Sequence, residues 1–153
     1  MRCIKPAPEE VSISLEEQVL CFQGGHYQIS SSKFGIGSVE GSNKTPLGTF
    51  QVSELYGAGM PLYTIFKGRR PVGTWDSSDA LLEEDMILTR IIRLSGLEVG
   101  NHNTYARYIY LHGTNAEEQI GTPSSIGCIR LQNNDMISLY NRITLGTVVR
   151  IQP

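Results

Sequence analysis

Residues 108–131 read YIYLHGTNAEEQIGTPSSIGCIRL. An apolar, aromatic run with β-branched and aromatic residues predicts a buried strand over Arg107–Leu111, delivering His112 at its end. Gly113 follows, where a chain without a side chain can turn close to the site. Residues Asn115–Gln119 predict one helical turn and Gly121–Gly127 a loop. Sixteen positions after His112 stands Cys128, between glycine and isoleucine, with Arg130 two residues on. A strand, a glycine-bearing loop and a second extended segment predict a β-rich fold that brings a histidine and a cysteine together.

The flanking sequence extends that pattern. Val11–Leu15 alternates apolar and polar, as a half-buried strand does. Val19–Gln23 and Tyr27–Ser31 are two further strand candidates, and Gly24–Gly25 between them predicts a hairpin. Gly35–Pro46 reads as a loop, and Thr45–Val52 enters another strand with Pro46 just before it. Pro61–Lys67 and Met86–Leu94 are strand candidates, separated by the acidic segment Asp76–Asp85 with room for a helical turn. Gly96–Tyr105 reads as a polar loop. After Cys128, Asn133 or Asn134 can cap a helix whose stripe is Met136, Ile137, Leu139, Tyr140 and Ile143. Gly146 ends that region, and Thr147–Ile151 is a closing strand. The expectation is a mainly β fold, one domain over residues 1–153, with one or two short helices.

Composition narrows the function. The chain has 153 residues, ordinary hydrophobic content and a formal net charge of −2, which is no footprint for nucleic acid. No segment approaches the roughly 18 apolar residues of a membrane span, so no membrane partner is expected. The start, MRCIKPAPEE, lacks the apolar core of a secretory signal, which favours a cytoplasmic protein, or a periplasmic one whose signal has been removed. Of three cysteines, Cys21 lies in the apolar run VLCF and reads as an inert buried thiol, and Cys3 near the terminus reads as uninvolved. No metal site is expected: there is no C-x-x-C, and His26, His102 and His112 do not have metal-ligand spacing. No cofactor is implied.

Cys128 differs because its neighbours are small, polar or cationic. Its thiol needs a base, and His112 is the candidate. Backbone N–H groups of Gly127 and Cys128 can form an oxyanion hole in the Ser125–Cys128 turn. If Cys128–Arg130 is extended, both side chains leave the same face, and the guanidinium can grip a substrate carboxylate with two prongs. A surface arginine is the alternative. Together these groups point to acyl transfer at a peptide bond near a free carboxylate.

On these residues the chain resembles the L,D-transpeptidases, the YkuD-domain proteins. The resemblance rests on H-G-T at His112, S-x-G-C-I-R at Ser125, N-x-D at Asn133, L-Y at Leu139 and G-T-x-V-x-I at Gly146. T-P-L-G-T-F at Thr45–Phe50 and the opening hairpin agree with it. It implies a YkuD-like β-sandwich with the site in a groove beneath a flap. It also implies a peptidoglycan stem tetrapeptide as substrate, cut between the L-centre of diaminopimelate and a terminal D-alanine, through a thioester on Cys128. His112 takes the base role, oriented by the Gly113 carbonyl, and Arg130, Ser125 and Tyr110 are read as substrate-binding. Where the family pattern carries a second histidine, this chain has Ile126, which does no proton chemistry. Absence of an export signal favours an L,D-carboxypeptidase that trims recycled fragments with water as acceptor. The alternatives are a periplasmic transpeptidase and a non-catalytic wall-binding module.

Overall fold

A computed structural model of the protein describes residues 9–79 and 85–153. Cys3 and residues 80–84 of the acidic segment therefore lie outside the described residues. The strands are β1 (Val11–Ser14), β2 (Val19–Phe22), β3 (Gly25–Ser30), β4 (Gly48–Tyr56), β5 (Thr64–Lys67), β6 (Arg70–Thr74), β7 (Ile87–Gly96), β8 (Tyr110–Gly113), β9 (Ile129–Leu131) and β10 (Val148–Gln152). One α-helix, α1, covers Asn133–Tyr140, and single 3-10 turns lie at Ser77–Asp79, Val99–Asn101 and Glu117–Gln119. The mainly β expectation with a short helix holds.

The strands form one sheet in the order β4-β10-β1-β2-β3-β9-β8-β7-β5-β6, and β4 also pairs with β7. Eight strands thus close into a ring, and its two faces are continuous through β4. Every ring strand sends apolar residues into one cluster. Phe50 and Val52 come from β4, Ile92 and Leu94 from β7, Leu111 from β8, and Ile129 and Leu131 from β9. Met136 and Leu139 of α1 join them. Each such side chain taken from water stabilises the fold by about 1.5–3 kcal/mol.

Several local expectations shift for identifiable reasons. The β2–β3 turn is made by Gln23 (φ 48°) and Gly24 (φ 78°), while Gly25 pairs with Phe22 inside the hairpin. Two positive φ angles match the strand twist, so the turn sits one residue earlier than the Gly-Gly pair suggests. β6 is absent from the sequence reading because it contains Pro71 and is exposed throughout. It is an edge strand, where a missing N–H costs little. β8 begins at Tyr110 because Tyr108 has φ 57° and closes a turn. Asn133 does not cap α1: its buried side chain donates to Thr114 O (2.7 Å) and accepts from Thr89 Oγ1 (2.6 Å). Cys21 is buried as expected, but it is disulfide-bonded and not an inert thiol; of the described cysteines only Cys128 is free.

Phe50 lies on the strand that closes the ring and is fully buried. Phe50→Ala should lower the unfolding free energy by about 3–5 kcal/mol, read as a fall in the urea midpoint. A loss under about 1 kcal/mol would mean that β4 does not close the core.

Candidate active site

The site is built on the outer face of the ring, where β7, β8 and β9 run side by side. Ile91 pairs with His112 and Arg93 with Tyr110 across β7 and β8. His112 lies opposite Arg130 and Leu111 opposite Ile129 across β8 and β9, which are parallel. Carrying that register back one residue sets Tyr110 beside Cys128. Leu111, Ile129 and Leu131 point inward to the core, so their neighbours point outward. The outward face thus carries two rows: Arg93, Tyr110, Cys128, and Ile91, His112, Arg130. His112 and Cys128 are diagonal neighbours, with Cα atoms about 8 Å apart from strand spacing and rise. Their side chains can meet over that span.

Cys128 is half-buried, and its sulfur is held by two backbone groups of the chain entering β8. Tyr110 N–H donates to Sγ at 3.3 Å, and the thiol donates to Tyr108 O at 3.3 Å. Burial pushes the thiol up to about 11, and Asp85 adds to the rise; the Tyr110 N–H and the charges of Arg107 and Arg130 oppose it. His112 is buried. Burial holds its imidazole below the ordinary histidine range, and Arg130 acts in the same direction, against the Gly113 carbonyl and Asp85. At neutral pH the pair is therefore a neutral thiol beside a neutral imidazole. The attacking thiolate has to be made during the reaction, by proton transfer to the ring.

The Nδ1–H of His112 is 2.5 Å from Gly113 O, so Nδ1 carries the proton and the lone pair lies on Nε2. Gly113 sits inside β8 and does not turn the chain. It is glycine because there is no room for anything else. A Cβ there would stand 2.2 Å from Asn133 Oδ1 and 2.7 Å from Leu88 O. The buried Asn133 that fills this space in turn binds Thr89 and Thr114.

The loop carrying Cys128 is tied down by side chains that the motifs singled out. Thr45 Oγ1 donates to Gly127 O (3.0 Å). Ser125 is buried; its Oγ donates to Cys128 O (2.6 Å) and accepts from Gly127 N–H (3.3 Å). Ser125 Oγ is therefore engaged within the turn that presents Cys128. With Gly127 N–H turned to Ser125, the Cys128 N–H is the better placed of the two expected oxyanion donors. Gly127 has φ 132°, which favours glycine. Ile126 is exposed.

Arg130 and Tyr110 are also arranged differently from the substrate contacts expected of them. Arg130 is buried; Nη1 binds Asp85 Oδ1 at 3.0 Å, and Nη2 binds Gln119 Oε1 at 3.1 Å and Ser124 Oγ at 2.5 Å. Nη2 is thus taken by the loop between β8 and β9 and Nη1 by Asp85 ahead of β7, while Nε is buried without a hydrogen-bond partner; the geometry is that of a loop pin. A buried cation is stable only when paired in this way. Tyr110 is buried against Phe66 and Ile91, and its hydroxyl accepts from Arg69 Nη1 (3.1 Å). Asp85, Arg107 and the Tyr108 carbonyl were not legible in the sequence, since only the fold brings them to act on the thiol, and Arg69 to the Tyr110 hydroxyl.

The family model of the L,D-transpeptidase catalytic domain matches residues 8–151. A probable L,D-transpeptidase of Escherichia coli, YcfS, is 29% identical over 156 residues, covering 95% of this chain and 44% of that protein. A putative L,D-transpeptidase of Bacillus subtilis, YqjB, is 44% identical over 48 residues, 31% of this chain and 27% of its own length. The chain thus spans less than half the length of these curated relatives. Among solved structures, an L,D-transpeptidase from Mycobacterium smegmatis superposes with a TM-score of 0.58 at 14% identity, over 94% of this chain and 58% of that one. One from Xylanimonas cellulosilytica gives 0.58 at 19%, over 93% and 59%.

Gly113→Ala should destabilise the fold by about 1–3 kcal/mol through overpacking and should cost activity beyond that, because the carbonyl that fixes His112 must move. Thermal melting and the rate per folded molecule separate the two effects. A variant as stable and as active as the parent would remove the orienting role of Gly113.

Proposed function

The chain belongs to the L,D-transpeptidase catalytic-domain family, and we propose that it forms a thioester on Cys128 from peptidoglycan stem tetrapeptides. The observation that carries this is the shared outward face of β8 and β9, with Cys128 diagonal to a histidine whose proton is locked on Nδ1 by Gly113 O. His112 Nε2 takes the thiol proton as sulfur attacks the carbonyl of the diaminopimelate L-centre. The Cys128 N–H stabilises the resulting oxyanion. Collapse breaks the C–N bond, His112 returns the proton to the leaving nitrogen, and D-alanine departs. An acceptor then attacks the thioester, giving up its proton to His112, and restores the thiol.

Two acceptors fit. An amine of a second stem, or a D-amino acid, makes the enzyme a transpeptidase. The disulfide at Cys21 supports this reading, because such bonds persist in oxidising compartments such as the periplasm, where polymeric wall is available. Water makes it an L,D-carboxypeptidase, which would suit a cytoplasmic protein trimming recycled fragments. The partial exposure of Cys128 supports that second reading.

Incubation with a free tetrapeptide stem and mass analysis tests both. Loss of D-alanine alone supports hydrolysis, and a dimer or an exchanged D-amino acid supports transpeptidation. Cys128→Ala should abolish both and remove the acyl-enzyme mass; normal turnover in that variant would end the proposal. His112→Ala should lower the rate by about 10²–10⁴-fold.

The pH dependence has a defined sign. His112 must be neutral to act, and its pKa lies below the ordinary 6.5. The rate of acylation should therefore rise with pH through a limb below 6.5 and level off above it. A limb centred above 6.5 in kcat/KM would contradict a buried, neutral base.

A further inference from the structure

Arg107 and Arg130 act on the thiol, Arg93 and Arg69 lie against Tyr108 and Tyr110, and their partners separate the four. Arg93 pairs with Glu54 (3.0 Å) and Arg130 with Asp85 (3.0 Å). Arg69 and Arg107 make no ion pair among the described residues. Arg107 is half-buried, with Nη1 on Gly37 O (3.3 Å) and Nη2 on Lys44 O (2.7 Å). Arg69 is different. It sits in the two-residue turn of the β5–β6 hairpin, where Gly68 and Arg69 both have positive φ (55° and 64°). Its guanidinium donates to the Tyr110 hydroxyl at 3.1 Å and stacks 5.4 Å from the Tyr108 ring. These two tyrosines are the residues whose backbone groups hold Cys128 Sγ. The hairpin therefore sets a cation with neutral partners against the side chains of these two tyrosines, while the cation nearest in sequence to the thiol is paired with Asp85.

We propose that Arg69, and not Arg130, receives the terminal carboxylate of the acyl donor, which makes it a specificity-determining residue of the reaction proposed above. The proposal rests on that reading for the identity of the donor. In a peptide cut one residue from its end, the carboxylate lies roughly 4–5 Å from the reacting carbon. A guanidinium seated on the two tyrosines beside the thiol has the reach and the free donors to grip it with two parallel bonds. Tyr110 links the two ends of the site: its N–H holds the sulfur and its hydroxyl holds the guanidinium.

The test has two arms. In the first, Cys128 is alkylated with iodoacetate and with iodoacetamide, which need no assumption about the natural substrate. Arg69→Ala should lower the iodoacetate-to-iodoacetamide rate ratio by about fivefold, the effect of one nearby charge in a partly screened site, and Arg69→Lys should restore most of it. In the second, the enzyme is given a tetrapeptide stem with a free or an amidated terminus. Arg69→Ala should lose about 10–100-fold in kcat/KM on the free acid and little on the amide. Arg69→Lys should remain impaired there, because an ammonium cannot make the two-pronged contact. An Arg69→Ala enzyme that keeps both the alkylation ratio and the preference for the free acid overturns the proposal. So does loss of both in Arg107→Gln while Arg69→Ala retains them, which would move the receptor to Arg107. An Arg69-dependent ratio in a wild-type enzyme that leaves stem peptides untouched would uphold the carboxylate receptor and refute the peptidoglycan reading instead.

Discussion

The parallel pairing of β8 with β9 is the constraint on which the site depends. A parallel pair cannot be closed by a tight turn, so the chain must leave β8 and return in the same direction. Residues 114–128 make that return, and they are held along β3 while they do so. Gly121 N–H donates to Ile29 O, Ser125 N–H to Ser31 O, and Lys33 N–H to Ser125 O, each at 2.9 Å. Ser30 Oγ adds bonds to Gln119 O and Thr122 O. Once that loop is fixed, the register places His112, Tyr110, Cys128 and Arg130 on one face without further adjustment.

Burial and charge then set the chemistry. The thiol is destabilised as an anion by its surroundings, and the imidazole is destabilised as a cation. Neither ionises ahead of the other at neutral pH, so the pair works by proton transfer and not as a preformed ion pair. This suits a nucleophile that must stay quiet until a carbonyl is in place. The arginines divide the remaining work: Arg93 and Arg130 are ion-paired, Arg107 holds two backbone carbonyls, and Arg69 rests on neutral tyrosines.

Much of what looks like a catalytic signature is scaffolding. Thr45 and Ser125 fasten the turn that presents Cys128. Asn133 fills the space that forces position 113 to be glycine. Buried polar groups of this kind are held by several partners at once, and removing one leaves the others unsatisfied. A motif spread from Thr45 to Asn133 is in this sense a description of one local network.

The sequence by itself determined the strand-rich character, the short helix after Cys128, and the pairing of a histidine at the end of an apolar run with a cysteine in a glycine-bearing turn. These are local properties: alternation, turn chemistry and the setting of one thiol are written in neighbouring residues. Only the tertiary structure decided what each charged group does. Arg130 follows Cys128 by two residues and looks like a substrate contact, yet Asp85, forty-five positions away, turns it into a pin. Arg69 lies in an exposed hairpin with no local sign of function, yet the pairing of β5 with β7 and of β7 with β8 carries it to the tyrosines beside the sulfur. The edge strand β6 was illegible for the same reason, since Pro71 is tolerated only where a neighbour is missing. A charge acts through whatever lies within a few ångströms of it, and in a closed β ring those neighbours come from strands far apart in the chain.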